Sequence, residues 1–442
     1  MTPEGFFLSE WRSRRLGEHR SLPRAHSLAA ALGLLDQARP VLSVVGSKGK
    51  GTAAIYASAC LVAAGQRVVT VTSPGYRRAS ERIRLNGRAI PAAVLWELGE
   101  RLRAARRPVT CQAEAGQVTE AGRAEAGRAE AGRAEAGRAE GCGYLAPTGL
   151  FTLAGVLHAQ DVAADVIVLE AGMGGISDEI SLFMPTVAAL TPIFAEHVGK
   201  LGDTPAEIAR EKAGIVAPTT RVVLTARQTA EVEQEIMATV GKRSAGRVQV
   251  EVVDPGSTAI PPSLLPAGLS AHNAELGCAA AGRLLDVIGH ENQAPRTHSE
   301  LVAVLSSVRL PGRLSRHELP GSRTELIVDA AINRAGIAAA LAVAARWWTR
   351  VDHVLVCLPD HKDVSGAIRE LAGLPVTFVR LPDEHLRFAQ TLPADWTIID
   401  AADLTRELVA GLGRRVMALG TVYFAGRVLD LADADTEQLF RC

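Results

Sequence analysis

The sequence predicts two α/β domains: a larger N-terminal domain on a doubly wound parallel sheet, and a smaller C-terminal α/β domain of Rossmann-like pattern. Three observations carry this. An apolar, β-branched run, VLSVV at 41–45, passes directly into the glycine-rich GSKGKGT at 46–52. An alanine-rich helical stretch and a second apolar run follow, which is the strand–loop–helix–strand order of a βαβ unit. Beyond a polar stretch at 288–300, short apolar runs alternate with helical segments through residue 442.

Taken in order, residues 23–38 carry helical apolar spacing, and 41–45 read as the first strand. The helix after the glycine loop runs to about Ala64, where Gly65 stands in a C-cap position. RVVTVTS ends the next strand at Ser73-Pro74. DVIVLEAG at 165–172 and TVAALTPI at 186–193 are further buried strands. Thr204-Pro205-Ala206-Glu207 is a capping box with proline at the first helical position, and Gly214 closes that helix. A helix near 271–288 precedes the linker. Strands follow at 325–329, 353–358, 375–379, 397–400 and 415–419. The expected domains are therefore 1–287 and 301–442. Between 113 and 141 the first is interrupted by near-identical EAGRA units. Their five-residue period lays no continuous apolar face on a 3.6-residue helix, so this segment reads as a solvated insertion.

Composition narrows the function. The 442 residues are 48% apolar and 22% charged, which is globular. Lys plus Arg and Asp plus Glu balance at 48 each, so no basic excess points to nucleic acid or a membrane surface. Cysteines at 60, 111, 142, 278, 357 and 442 form no CxxC pair, which argues against a disulfide framework and a Cys-type zinc site. No signal-like segment or membrane-length apolar run is present, and a cytoplasmic monomer or homodimer is expected. Only six of the basic residues are lysine: 48, 50, 200, 212, 242 and 362. Where arginine fills nearly every cationic position, a remaining lysine points to a task that arginine cannot perform.

The glycine loop has the context of a phosphate cradle. Gly46, Ser47, Gly49, Gly51 and the backbone N–H groups at the helix start can hold an anion. Lys50 can reach the outer phosphates of such a ligand, and Thr52 can touch Mg²⁺. The strict GxxxxGK[ST] spacing fails, since Val44 stands at its first position and Gly51 separates Lys50 from Thr52. Ser73 and Glu170 fall at the carboxyl ends of expected parallel strands, where open α/β sheets place ligands. A hydroxyl and a carboxylate beside a phosphate loop suit Mg²⁺.

GSKGKGT resembles the nucleotide loop of the folylpolyglutamate synthase and dihydrofolate synthase family, relatives of the Mur ligases. Similar segments recur in order: TSPGYRRASERIRLNGRAI at 72–90, DVIVLEAGMGG at 165–175, HVGKLGDTPAEIAREKAGIV at 197–216, LPGRL at 310–314, DAAINRAG at 329–336, HKDV at 361–364 and GTVYFAGRVL at 420–429. The resemblance implies a P-loop-type ATPase domain followed by a Mur ligase-like C-terminal domain, with ATP between them. It implies that Arg313 meets ATP phosphates, that Asp329 lies near the nucleotide, and that Asn273 contacts the adenine or orders the inter-domain hinge. Lys212, in the last turn of its helix, would in any case complement the helix dipole. The resemblance further implies that it is carbamylated and, with His197, holds a second Mg²⁺.

Departures from the family pattern cluster. Its Ser-Pro-His reads Ser73-Pro74-Gly75, GGR reads Gly174-Gly175-Ile176, and the aspartate before the metal histidine reads Glu196. The histidine of Asp-Gly-Ala-His-Asn-Pro has become Ile332, with Arg334 in place of the proline, and a Phe-Glu pair reads Thr148-Gly149. Phosphate and metal positions are kept while positions toward the acid and amine substrates change. The expectation is therefore an ATP-dependent ligase joining a small carboxylic acid to an amine or amino acid through an acyl phosphate, recruited to a non-folate pair. The alternatives are a folate enzyme adding L-glutamate and a noncatalytic ATP-binding scaffold.

Overall fold

The computed structural model describes residues 3–15, 17–106, 143–289, 298–383 and 386–441. The EAGRA insertion expected at 113–141 lies outside the described residues. The first sheet is built from β1 (Val41–Val45), β2 (Val68–Val71), β3 (Ile83–Leu85), β4 (Arg88–Ala89), β5 (Val166–Glu170), β6 (Val187–Leu190), β7 (Val222–Ala226) and β8 (Val250–Val253). Their spatial order is β4-β3-β2-β5-β1-β6-β7-β8. The strands from β2 to β8 in that order run parallel, and β3 and β4 add an antiparallel edge. β1 is buried along its whole length, as a strand covered on both faces must be. Its alternate residues feed two cores: Val41 and Val45 face Phe7, Phe151 and Ile208, while Leu42 and Val44 face Leu61, Leu276 and Leu284. The stretch 217–265 supplies β7, helix Ala230–Arg243 and β8.

The second sheet contains β9 (Ser315–Glu318), β10 (Glu325–Asp329), β11 (His353–Cys357), β12 (Val376–Arg380), β13 (Thr397–Asp400) and β14 (Arg415–Gly420). Its order is β13-β12-β11-β14-β10-β9, parallel except for β9. The five expected strands are all present. No helix among the described residues is long and apolar enough to cross a membrane.

The boundary between the two units needs correction. Helix His298–Ser306 begins inside the segment expected as a linker, and its Val304 and Leu305 are buried in the first domain's core beside helix Lys50–Ala63. Polar composition around 290–300 masked an i, i+3, i+4 apolar face formed by Leu301, Val304 and Leu305. Leu439 and Phe440 return to the same core after the second sheet is complete. Buried Arg84 reinforces the crossing by donating to Thr436 O at 2.8 Å and Glu437 O at 2.7 Å.

Helix Lys50–Ala63, which opens at the glycine loop, packs along helix Ser270–Ile288. Contact is closest at Gly277, where an added Cβ would lie 2.2 Å from Ala53 O, a backbone atom that cannot swing aside. Gly277→Ala is therefore expected to cost about 1–3 kcal/mol by overpacking. Gly282→Ala, on the same helix and with nothing within 4 Å, should be neutral or stabilise by up to about 1 kcal/mol through helix propensity. Urea unfolding of both variants checks the contrast, and equal effects would contradict the contact.

Candidate active site

Parallel register sets the site. Val44 aligns with Glu170 and Val71 with Leu169, so β1, β2 and β5 release the chain at one level. Gly46 follows with φ +140°, and a Cβ there would stand 2.0 Å from Thr191 Oγ1 just beyond β6. Gly49 caps helix Lys50–Ala63 with φ +87°. Both positions need glycine. Ser47 Oγ accepts from Phe194 N at 3.2 Å, tying the loop to the strand-end segment beyond β6. Lys50 folds back over the loop, with Nζ donating to Gly46 O at 3.0 Å and Ser47 O at 3.4 Å. A compact turn with cations above it and a helix N-terminus behind it is an anion cradle.

Glu170 stands at the cradle's edge. Its Oε2 lies 3.4 Å from where a Cβ on Gly51 would be, and it accepts from Ser73 N at 2.9 Å. Burial raises the Glu170 pKa, against the pull of Lys50, the Ser73 N–H, Arg313 and Arg82. Ser73 Oγ accepts from Arg82 at 3.1 Å, and Thr52 is buried in the first turn of its helix. This is an oxygen donor set of the kind Mg²⁺ takes. No group of three or more His, Cys, Asp or Glu gathers to hold a metal among the described residues. An ion here would therefore lean on hydroxyls and phosphate oxygens, the usual arrangement for Mg²⁺.

Lys212 enters from the last turn of helix Pro205–Ala213, whose capping box forms as expected. It is 1% exposed, and its Nζ donates to Gly46 O and to Glu196 Oε1, both at 2.9 Å. Burial, then Lys50, lowers its pKa while Glu196 opposes. Gly175 locks the helix end, since a Cβ there would meet Lys212 O at 2.5 Å. His197 adopts φ +49°, a conformation that costs a non-glycine residue about 1–3 kcal/mol and tends to persist where function requires it. Partial desolvation lowers its imidazole pKa; Glu196 opposes this, and Lys362, Lys212 and Lys50 add to it.

The second domain closes the site from the other side. Arg313 follows the Pro311-Gly312 turn. Burial works against its charge, but Tyr76, Asp329 and Glu170 around it outweigh that and raise its pKa. Asp329, at the end of β10, accepts from Leu314 N at 2.8 Å; burial raises its pKa against Arg313 and Lys48. Burial, then Arg313, lowers the Lys48 pKa. Arg313 and Asp329 of the second domain thus come within electrostatic reach of Lys48 of the first, and Arg313 also of Glu170 and Tyr76. Asn273 is found against the loop: its side chain fills the space beside Gly49, with Nδ2 donating to Leu269 O at 3.2 Å. Tyr76, Arg82, Lys48 and Lys362 were given no role from sequence. Lysine scarcity was the usable signal, since four of the six lysines meet here.

The departures have structural counterparts. Ile332 packs against the apolar core between the second sheet and helix Arg334–Trp347. The guanidinium of Arg334 pairs with Glu370 at 2.6 Å, so it is already engaged. At Gly149 a Cβ would meet Glu179 Cδ at 2.4 Å: a carboxylate from another segment occupies that space. Glu179 is 1% exposed and lies 3.4 Å from Arg20. Burial, then neighbouring Asp178, pushes its pKa up to about 7 against the pull of Arg20. The native state therefore holds this proton more tightly than the unfolded chain. Its contribution is fully present below pH 4.5 and is lost as pH rises through about 7. Glu179→Gln should flatten that part of the stability profile, measured by urea unfolding at pH 5 and pH 8. An unchanged pH dependence would count against it.

No family model matches the chain. Over 205 residues, 46% of the chain, it is 31% identical to folylpolyglutamate synthase of Lacticaseibacillus casei, and this stretch covers 41% of that protein. Over 194 residues it is 29% identical to dihydrofolate synthase/folylpolyglutamate synthase of Escherichia coli (strain K12), covering 38% of it. The chain thus spans less than half the length of these curated relatives. The structure resembles Mycobacterium tuberculosis folylpolyglutamate synthase complexed with ADP, with TM-score 0.74 and 22% identity over 98% of this chain and 99% of that one. It also resembles the apo form of the L. casei synthase, with TM-score 0.73 and 21% identity over 97% and 99%. At such identity the solved structures speak to the fold alone. Over these stretches the chain is similar in sequence to folylpolyglutamate synthases and dihydrofolate synthases, and it shares the fold of the solved folylpolyglutamate synthases.

Proposed function

We propose that the chain is an ATP-dependent acid–amine ligase of the folylpolyglutamate synthase type. The observation that carries this reading is the convergence of Lys48 and Lys50 from one domain with Arg313 and Lys362 from the other. In the proposed reaction, a carboxylate oxygen of the acid attacks the γ-phosphorus of ATP, and ADP leaves. The amine nitrogen then attacks the acyl carbon, phosphate departs, and the amine proton passes to solvent. Negative charge builds on the transferring oxygens, and prearranged cations in a crevice stabilise it without reorganising. Thr52, Ser73 and Glu170 would hold Mg²⁺, which when bound neutralises phosphate charge.

Carbamylation of Lys212 belongs to the same proposal. The neutral amine would add to carbon dioxide and release a proton to solvent, and burial and Lys50 favour that neutral form. The new carboxylate would lie beside Glu196 and Gly46 O, an oxygen-rich set that together with His197 suits a second Mg²⁺. For the substrates, the names of the relatives favour a folate and glutamate. A second reading, a non-folate pair, rests on Ile332, which offers an incoming carboxylate no polar group, and on the engaged Arg334.

Lys50→Ala should abolish ADP release while leaving the melting temperature unchanged, because its side chain bears on the loop and not on the core. Full turnover by that folded variant would remove the loop from the mechanism, and a wild type that binds ATP but consumes none would leave the scaffold reading. Lys212→Arg should be as damaging as Lys212→Ala, since arginine keeps the charge but forms no carbamate; activity in the arginine variant would end that role. The substrates are separated by ADP release from folate or dihydropteroate with a panel of amines. A missing charge-assisted hydrogen bond at Ile332 is expected to weaken glutamate by about ten- to a hundredfold. Efficient glutamate addition at ordinary concentrations would assign the chain to the folate reading.

A further inference from the structure

Glu170 and Lys212 come from different elements, one at the end of β5 and the other in the last turn of helix Pro205–Ala213. The loop 171–178, which continues from Glu170, joins them. Glu211, the residue before Lys212, turns its carboxylate onto that loop. Its Oε1 accepts from Gly175 N at 3.2 Å, from Ser177 N at 2.9 Å and from the Ser177 hydroxyl. Its backbone carbonyl accepts from Ile176 N at 3.0 Å. Two glycines permit the approach. Gly174 holds φ +95°, and a Cβ there would fall 2.9 Å from Glu211 Oε1; one on Gly175 would fall 2.6 Å from Glu211 O.

Arg20 holds the same loop from another segment of the chain. Its Nη2 donates to Met173 O and, at 3.1 Å, to Ser177 Oγ. Its Nη1 lies 3.3 Å from Asp178, which accepts from Met173 N at 2.9 Å. The backbone beside Arg20 is fixed in turn, since Ser21 N donates to Tyr144 O at 2.9 Å and Tyr144 N to His19 O at 3.1 Å. Ser177 Oγ thus accepts from a guanidinium and donates to a carboxylate, and such charge-assisted bonds are the strong ones. Ile176, at the place of the arginine in the GGR pattern, is 39% exposed, and the guanidinium on this loop comes instead from Arg20. We propose that Glu211 is a positioning residue: with Ser177 and Arg20 it fixes the loop behind Glu170 against the helix that carries Lys212, and so sets the spacing of those two groups. Reacting groups displaced by a fraction of an ångström lose much of their rate advantage. The consequence for catalysis rests on the ligase reading, in which both groups hold Mg²⁺, but the mechanical link can be measured without it.

Ser177→Ala removes the hydroxyl and keeps the backbone bonds, Glu211→Gln keeps an acceptor oxygen, and Glu211→Ala removes it. In the full chain, hydrogen exchange read by mass spectrometry should rise in Ser177→Ala at 171–178 and at 211–216 together. Its kcat for ADP release should fall about tenfold, and the Mg²⁺ concentration for half-maximal rate should rise. Glu211→Ala should lose more, Glu211→Gln should recover most of that loss, and Ser177→Ala should add nothing in the Glu211→Ala background. If Glu211→Ala does not fold, Ser177→Ala and Glu211→Gln carry the test. If the wild type consumes ATP with no acid–amine pair, the ligase reading fails. The link is then decided by hydrogen exchange and by calorimetric binding of a non-hydrolysable ATP analogue, whose gain in affinity from Mg²⁺ should shrink in Ser177→Ala. Exchange that rises in the loop alone would overturn the proposal. So would wild-type Mg²⁺ dependence in Ser177→Ala and Glu211→Ala, with or without a lowered melting temperature, since that would leave Glu211 a packing residue only.

Discussion

One carbonyl oxygen organises this protein. Gly46 O accepts from both Lys50 Nζ and Lys212 Nζ, at 3.0 and 2.9 Å. Two ammonium groups at one acceptor repel each other, and Lys50 is among the causes of the lowered Lys212 pKa. Glu196 supplies one counter-charge, 2.9 Å from Lys212. The remaining positive potential is what an anion in the loop would relieve. The arrangement depends on Gly46 holding φ +140° against Thr191, a conformation and a clearance that a Cβ would destroy. The cradle, the buried lysine and the helix that delivers it therefore stand or fall with that turn.

The two domains meet by the same device. Gly312 and Gly426 give way to Tyr76, as Gly277 gives way to the backbone of Ala53. Close approach of backbones brings charged groups from separate sheets into range without a long side chain having to span the gap. Arg84 ties in the segment around Thr436 and Glu437, with its two terminal guanidinium nitrogens donating to the carbonyls of those residues. A buried arginine without such acceptors would be costly, so this junction has a defined geometry and not a loose one.

The altered positions read differently once the packing is known. Gly149 is a residue made small to admit Glu179, and Arg20 and Asp178 complete that polar group. Ile332 packs, partly buried, against an apolar core.

The sequence by itself determined the βαβ start, the glycine loop, the capping box at Thr204 and the run of parallel strands, because each is written in neighbouring residues through period, propensity and turn chemistry. It also marked Lys50 and Lys212, since lysine is rare where arginine would serve. Tertiary structure alone decided that helix His298–Ser306 and Leu439-Phe440 belong to the first core, that Asn273 lies on Gly49, and that Tyr76 crosses to the core of the second sheet. It also decided that Glu179 fills the place left at Gly149. Each of these is a contact between residues far apart in the chain. Such contacts are set by which surfaces the sheets bury and how closely glycine lets two backbones approach, and no local pattern records that.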